Sequence, residues 1–437
     1  MSNPTLGFLS LGLVIVGVLT GYPMAFSFIF IALVFGYIGF DQQVFYLLNY
    51  QFFGLMRDTT LAAIPLFLFM GYLLEQSGLM DRMFKALRVL LGPVKGSLYL
   101  IVLLVATVFA AATGIVGASV TVLGVMAAPI MMESRYSVRL SAGAIAAGGT
   151  LGILIPPSVM LIVMGPVVGV PVSDLFTAAI IPGLLLAAVY IFYALLRSFL
   201  NPSLGPPLSL EERGTSLTAK LYELAVGVVP VTAVIAATLG SIIAGVTTPT
   251  DASATGAFAA LVLSLAYRRL TWAQLRDCVY RTLETTSFIL FLIAAANFFG
   301  AVFARLGSAR ALTDALLALP FPAPAMLLII LATVFVLGGP LEWIPIVLVV
   351  VPIFLPTVQK LGFDPLWFSI LVAVTLQTSW LTPPMALSSY FLKGVVPIWS
   401  MKDIYLGMVP FVFLQLLVVL LLVAFPILIL WLPSVVG

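Results

Sequence analysis

Leu151–Met160 reads LGILIPPSVM, and Thr378–Leu387 reads TSWLTPPMAL. Each places two adjacent prolines inside an apolar run, and proline both lacks an N–H and clashes with the carbonyl four residues earlier. A helix entering either stretch must stop there. The two stretches lie 227 positions apart and their neighbours keep that offset: Pro93, Pro129, Pro156 and Pro157 return as Pro320, Pro356, Pro383 and Pro384. Val172–Phe176 (VSDLF) likewise resembles Met401–Tyr405 (MKDIY). The chain is an internal duplication in which each unit carries one broken helix, a pattern found in secondary transporters.

Hydrophobic residues make up 62% of the 437 and charged residues 8%, against roughly 45–50% and 25% in soluble domains. Runs such as Leu6–Leu19, Ala25–Phe40, Leu98–Ala112, Leu175–Leu196 and Phe411–Leu432 approach the ~20 residues that a helix needs to cross a bilayer. They do not alternate apolar and polar residues as barrel strands do. No Lys or Arg precedes the first run, so a cleavable signal peptide is not expected. A net charge of +3 gives no reason to expect a nucleic-acid partner, and the single cysteine, Cys278, excludes an intrachain disulfide. The absence of histidine removes HExxH zinc sites and histidine-based general-base chemistry. No GxxxxGK[ST] motif is present either. Movement of a solute, or a scaffold role, remains.

Cations cluster at Arg82–Lys95, Arg135–Arg139 and Arg268–Arg281, and the positive-inside rule places these connections in the cytoplasm. The segment between Lys95 and Arg135 is too long for one span although both its ends are cytoplasmic, so it reads as a re-entrant hairpin with its tip at Thr113–Ser119. Three spans, over about Leu221–Gly245, Ala252–Tyr267 and Leu283–Phe303, then carry the chain to the other face. The second hairpin, with its tip at Gly338–Glu342, therefore starts outside, and the two units are inverted. An amphipathic segment precedes each: Met80–Leu91 and Ser308–Leu319. The expected division is scaffold helices over 1–78, an arm over 79–95, a first transport repeat over 96–199 (hairpin 96–132, broken helix 140–170) and a cytoplasmic loop over 200–220. Scaffold helices follow over 221–305, an arm over 306–324 and a second repeat over 325–437 (hairpin 325–358, broken helix 366–398). The fold class is all-α and polytopic, with about 10–11 transmembrane helices plus two re-entrant hairpins in an inverted repeat.

The prolines remove the helical donors of the Gly152 and Ile153 carbonyls in one unit, and of Ser379 and Trp380 in the other. Such carbonyls are costly in a membrane unless they face protein, water or an ion, and hard cations prefer oxygen ligands. Two related sodium sites, each with a hairpin tip opposite a break, are the functional reading. The structural alternative is a pair of proline kinks with glycines that permit close packing. Repetition of the break at the same place in both units favours the ion sites.

Phe109–Met131 (FAAATGIVGASVTVLGVMAAPIM), Ala146–Leu161 (AAGGTLGILIPPSVML), Thr247–Ala257 (TTPTDASATGA), Gly338–Pro356 (GGPLEWIPIVLVVVPIFLP) and Leu381–Met385 (LTPPM) resemble the DctM-like large membrane subunit of TRAP (tripartite ATP-independent periplasmic) transporters. The resemblance covers nearly the whole chain. It implies an elevator-type fold of the ion-transporter superfamily, sodium-driven uptake of a small organic solute, and location in a bacterial or archaeal cytoplasmic (inner) membrane. It also implies two partners, a small four-helix membrane subunit and a periplasmic substrate-binding protein. Transferred residue by residue, it gives a first sodium site of Thr113, Gly152, Ile155 and Pro156, and a second of Gly338, Ser379, Thr382 and Met385. This chain departs from the family pattern at the TGIVGAS tip, at Ala110 where serine is common, and at Ser379 where glycine is usual.

Between the tips, candidate solute contacts are Ser119, Thr121, Glu342, Ser388 and Ser389. Glu342 is read either as a pathway carboxylate or as a solvated or capping group at the tip. Asp251 is expected to cap the helix starting at Ala252, and Trp367, Trp399 and Trp431 to anchor the membrane interface. No arginine is placed in the pathway, because Arg57, Arg305 and Arg310 fall near span ends. The solute is therefore read as a carboxylate, received through half-helix dipoles, or as a neutral organic molecule such as a polyol. A stand-alone sodium symporter of the same superfamily is the alternative function. A membrane enzyme is disfavoured by the absence of histidine, of a metal cluster and of a paired aspartate motif.

Overall fold

The computed structural model describes residues 3–207, 222 and 225–436. The expected long loop falls mostly on 208–221, outside the described residues. Among the described residues the secondary structure is helical, with no strand. Helices α1 (Asn3–Leu19), α2 (Met24–Phe40), α3 (Gln43–Met56) and α4 (Ala63–Gln76) open the chain, followed by α5 (Leu79–Leu91). The first unit contains α6 (Ser97–Thr113), α7 (Val116–Glu133), α8 (Val138–Thr150), α9 (Val159–Val168) and α10 (Val172–Leu200). Then come α11 (Val229–Ile243), α12 (Pro249–Ala266), α13 (Trp272–Arg305) and α14 (Ser308–Leu317). The second unit contains α15 (Ala323–Gly338), α16 (Trp343–Lys360), α17 (Pro365–Gln377), α18 (Leu387–Val395) and α19 (Met401–Ala424), and α20 (Ile427–Val436) ends the described chain.

Among the described residues six helices are long and apolar enough to cross a membrane: Thr59–Gln76, which joins a short 3-10 turn to α4, with α7, α10, α13, α16 and α19. Shorter apolar helices, including α1, α2 and α15, accompany them. Helix α13 starts before its apolar run. Arg276 and Arg281, expected in a connection, lie on this 34-residue helix, which is about 50 Å long at ~1.5 Å per residue. Arg281 is held there by Asp277 (2.9 Å) and Glu75 of α4 (3.6 Å).

The two units share an element order: helix, tip, helix, helix, break, half-helix, long helix. They also interlock. The half-helix after the first break, α9, packs on α16 of the second unit, while the half-helix after the second break, α18, packs on α7 of the first. Helices α8 and α19 approach most closely at Gly143 and Gly407, where a Cβ on Gly407 would stand 2.0 Å from the Arg139 carbonyl oxygen. Only glycine admits that contact. Helices α5 and α14 are short and pack against α6 and α16 respectively; α5 buries Leu79, Met80, Met83 and Phe84, whereas the buried residues of α14 are Ser308 and Thr313.

Two expectations about local structure are corrected. The cap of α12 is Thr248, whose Oγ1 accepts from the Asp251 N–H (3.2 Å) and donates to Asp251 Oδ2 (2.7 Å). Asp251 is thus the third helical residue, partnering the cap. Trp367 and Trp399 are buried, and the Trp367 indole donates to the Leu422 carbonyl at 3.2 Å, so these rings fill the core where interface anchors were expected. Trp431 is half exposed.

Candidate transport site

Both proline pairs break their helices. Helix α8 tightens into a 3-10 turn over Leu151–Ile153 and the chain resumes as α9 after Ser158; α17 tightens over Thr378–Trp380 and resumes as α18 after Ala386. The Pro156–Pro157 and Pro383–Pro384 peptides are both cis. In the first break the Ile155 N–H bonds to the Leu151 carbonyl (2.9 Å), and Pro156 has no N–H, so the Gly152 carbonyl is left without a helical donor. In the second, the Thr382 N–H bonds to the Thr378 carbonyl (2.9 Å), and Pro383 and Pro384 leave Ser379 and Trp380 in the same condition.

The Ile153 carbonyl is the exception among those expected to be free. The Ser158 hydroxyl donates to it, and the same oxygen accepts from the Leu161 N–H at 3.5 Å. One serine thereby ties both ends of the first break. Its counterpart in the second unit is Met385, whose N–H instead reaches across to the Gly339 carbonyl at 3.2 Å. The Thr382 hydroxyl donates to the Thr378 carbonyl (2.7 Å) and that of Ser379 to the Leu376 carbonyl (2.6 Å), so each keeps its lone pairs available. The chain leaves the second break through Ala386 at φ +36°, a left-handed conformation that costs a side-chain-bearing residue about 1 kcal/mol.

Each tip meets its own break. Gly114, at φ +61°, lies so close that a Cβ there would stand 3.4 Å from the Pro157 carbonyl oxygen, and one on Gly152 would stand 3.6 Å from the Ala110 oxygen. In the second unit a Cβ on Gly338 would be 3.2 Å from that of Ser379, and one on Gly339 would be 3.4 Å from Pro384 Cδ. The residues Gly152, Ile155 and Pro156 thus sit beside the end of α6, where Thr113 is the last helical residue; its side chain lies outside the described residues. Gly338, Ser379, Thr382 and Met385 form the second group. The first break is buried throughout, whereas Pro383 and Pro384 are exposed.

Between the tips lies a cavity of about 190 Å³, lined by Gly114, Ile115 and Val116 from the first tip and Glu342, Trp343 and Ile344 from the second. Ile153 and Trp380 reach it from the two breaks, and Leu68, Thr285, Phe288 and Ile289 from α4 and α13. Of the proposed solute contacts only Glu342 lines it. Ser119, Ser388 and Ser389 are buried elsewhere and Thr121 is half-buried. Arg57, expected at a span end, is found on the wall of a second cavity.

The sequence profile described as the DctM component of tripartite ATP-independent periplasmic transporters matches residues 11–428. The chain belongs to this family. It is 28% identical over 419 residues to the sialic acid TRAP transporter large permease protein SiaM of Vibrio cholerae, covering 95% of each chain. It is 27% identical over 406 residues to the 2,3-diketo-L-gulonate TRAP transporter large permease protein YiaN of Escherichia coli, covering 92% of this chain and 93% of that one. Its fold is that of the crystal structure of the YdaH transporter of Alcanivorax borkumensis, with a TM-score of 0.65 at 15% identity and 88% of each chain covered. This DctM-family chain is accordingly a multi-pass membrane transporter subunit and not an enzyme.

Several residues of this DctM-family chain gain a role only in three dimensions. Trp380 and Trp343 line the inter-tip cavity with Thr285, whose hydroxyl shares a 2.9 Å hydrogen bond with Tyr72. No sequence motif ties α13 to the tips. Ser158 carried a readable signal, a hydroxyl residue placed just before an apolar helical run.

Proposed function

We propose that this chain is the sodium-coupled large membrane subunit of a TRAP transporter, taking up a small organic anion that a periplasmic binding protein delivers. In this reading the chain works in the cytoplasmic membrane beside a small four-helix subunit. The observation that carries it is the pair of breaks, each with backbone carbonyls stripped of their donors and a tip packed against it. These oxygens suit a hard monovalent cation. Thr113, Gly152, Ile155 and Pro156 would hold one sodium ion, and Gly338, Ser379, Thr382 and Met385 the other. Sodium at both breaks would offset the cost of the bare carbonyls and fix the tips around the solute.

The division into moving and fixed parts follows the same logic. Helices α6–α7 and α15–α16 are the two hairpins, about ten or eleven other spans surround them, and 96–199 with 325–437 move as one elevator body against the scaffold of 1–78 and 221–305. Helices α5 and α14 brace the hairpins. The relatives' named cargoes, sialic acid and 2,3-diketo-L-gulonate, both carry a carboxylate, which favours an organic acid here.

The test is uptake into vesicles holding the chain, its small subunit and the binding protein, with sodium or potassium outside. Uptake of an organic acid in sodium, lost in potassium, is expected. Equal uptake in both would defeat sodium coupling, and uptake by the chain alone would make it a stand-alone symporter.

A further inference from the structure

Outside the inter-tip site, a cavity of about 540 Å³ lies between α3, α9 and α13. Its volume lies in the range of small-molecule sites, roughly 300–1,000 Å³, and is more than double that between the tips. Asn49, Gln51 and Arg57 line it from α3 and its end, Asn297 from α13, and Pro166 and Leu348 from the two transport units. The cavity thus lies where α3 and α13 face α9 and α16 of the two repeats.

Its lining holds one cation, Arg57, and one carboxylate, Asp58. Arg57 forms no ion pair among the described residues, and the adjacent Asp58 spends its Oδ1 on the Thr60 N–H at 2.9 Å. The amide of Asn297, partly buried on an apolar helix, makes no side-chain hydrogen bond to a described residue. Polar side chains on an apolar membrane-spanning helix commonly lie on a solute path. The inter-tip cavity, by contrast, has Glu342 and no Lys or Arg among its lining residues.

The two cavities are linked by one helix face. Thr285 and Ile289 of α13 line the inner cavity, and Ile293 and Asn297 line the outer. Four-residue spacing keeps these side chains on the same side of the helix, so the cavities are stacked along about 18 Å of α13 at ~1.5 Å per residue.

We propose that the outer cavity is a receiving site for the organic anion, in which the Arg57 guanidinium binds the carboxylate while Asn297 and Gln51 offer amides to its polar body. This rests on the uptake reading above and adds to it a cation, which the inter-tip cavity lacks. A planar guanidinium can take a carboxylate through two parallel hydrogen bonds, and the apolar Ile289–Ile293 strip separates this first stop from the tips.

The test uses Asn297→Cys in a Cys278→Ser background, in right-side-out vesicles, labelled from outside with an anionic (ethylsulfonate) or a cationic (ethyltrimethylammonium) methanethiosulfonate. The anionic reagent should react faster, and adding Arg57→Gln should lower the anion-to-cation rate ratio about tenfold, while Arg57→Lys should largely preserve it. A ratio unmoved by Arg57→Gln, or no labelling by either reagent, would overturn the proposal. In the uptake assay Arg57→Gln should raise KM for the organic acid about tenfold and leave the sodium half-saturation where it is; an unchanged KM would also overturn it. Failure of sodium coupling would appear separately, as potassium-supported uptake by the unmodified chain with the labelling ratio intact.

Discussion

Ser158→Ala removes one hydroxyl and opens both ends of the first break. That oxygen is fully buried, donates to Ile153 and accepts from Leu161 at 3.5 Å. The Ile153 carbonyl has no substitute donor, since residues 156 and 157 are prolines. A buried carbonyl without a partner costs about 1–3 kcal/mol. The lost cap adds about 0.5 kcal/mol, the low end of its range, because the bond to Leu161 is long. A total near 2 kcal/mol, at about 2 °C per kcal/mol for a large domain, lowers the melting temperature by about 4 °C. The assay is a thermal melt of the purified protein in potassium buffer, so that bound sodium does not contribute. Ser158→Thr retains the hydroxyl and should recover more than half of the loss. A melt within about 1 °C of the parent for Ser158→Ala, or an equal loss in Ser158→Thr, would refute the two-ended role of this serine.

Thr382→Ala and Thr113→Ala should each raise the sodium concentration for half-maximal uptake several-fold, about 1 kcal/mol of lost coordination; unchanged sodium dependence in both would show the site assignments to be wrong. Glu342→Gln, in the wall of the inter-tip cavity, should alter KM or kcat for the solute while sodium half-saturation stays put, and a solute response identical to the parent would return Glu342 to a bystander at the tip. Gly407→Ala forces a methyl to 2.0 Å from a backbone oxygen, an overpacking worth about 3 kcal/mol, so the yield of monodisperse protein should collapse. Gly240→Ala on α11 meets nothing within 4 Å and should express and transport normally, which checks that the Gly407 result is not a general intolerance of alanine.

What could be read along the chain was whatever acts over a few residues. Proline pairs break helices wherever they occur, so the breaks near Pro156 and Pro383 were legible, as were the glycine-rich tips. What lay beyond reach depended on partners hundreds of positions away. Arg57 looks like the end of a span until α9 and α13 close a cavity around it. Trp367 and Trp399 have the composition of interface anchors, yet their burial is decided by α19 and neighbouring elements. The serines at 119, 388 and 389 stand near a tip or break along the chain, whereas the direction of a helical side chain decides what it faces. Ser158, by contrast, carries its signal locally. Its hydroxyl stands immediately after the prolines whose orphaned carbonyl it satisfies.

The central claim is that oxygens exposed at the two breaks hold sodium. Melting of the purified chain at constant ionic strength, with sodium progressively replacing potassium, tests it without knowledge of the solute. A ligand that binds only the folded state stabilises by RT ln(1 + [L]/Kd), about 2.7 kcal/mol at a hundred times Kd. The account predicts a melting temperature that climbs with the logarithm of sodium concentration, and a shallower climb in Thr382→Ala. Identical melting in sodium and potassium across the whole range would contradict it.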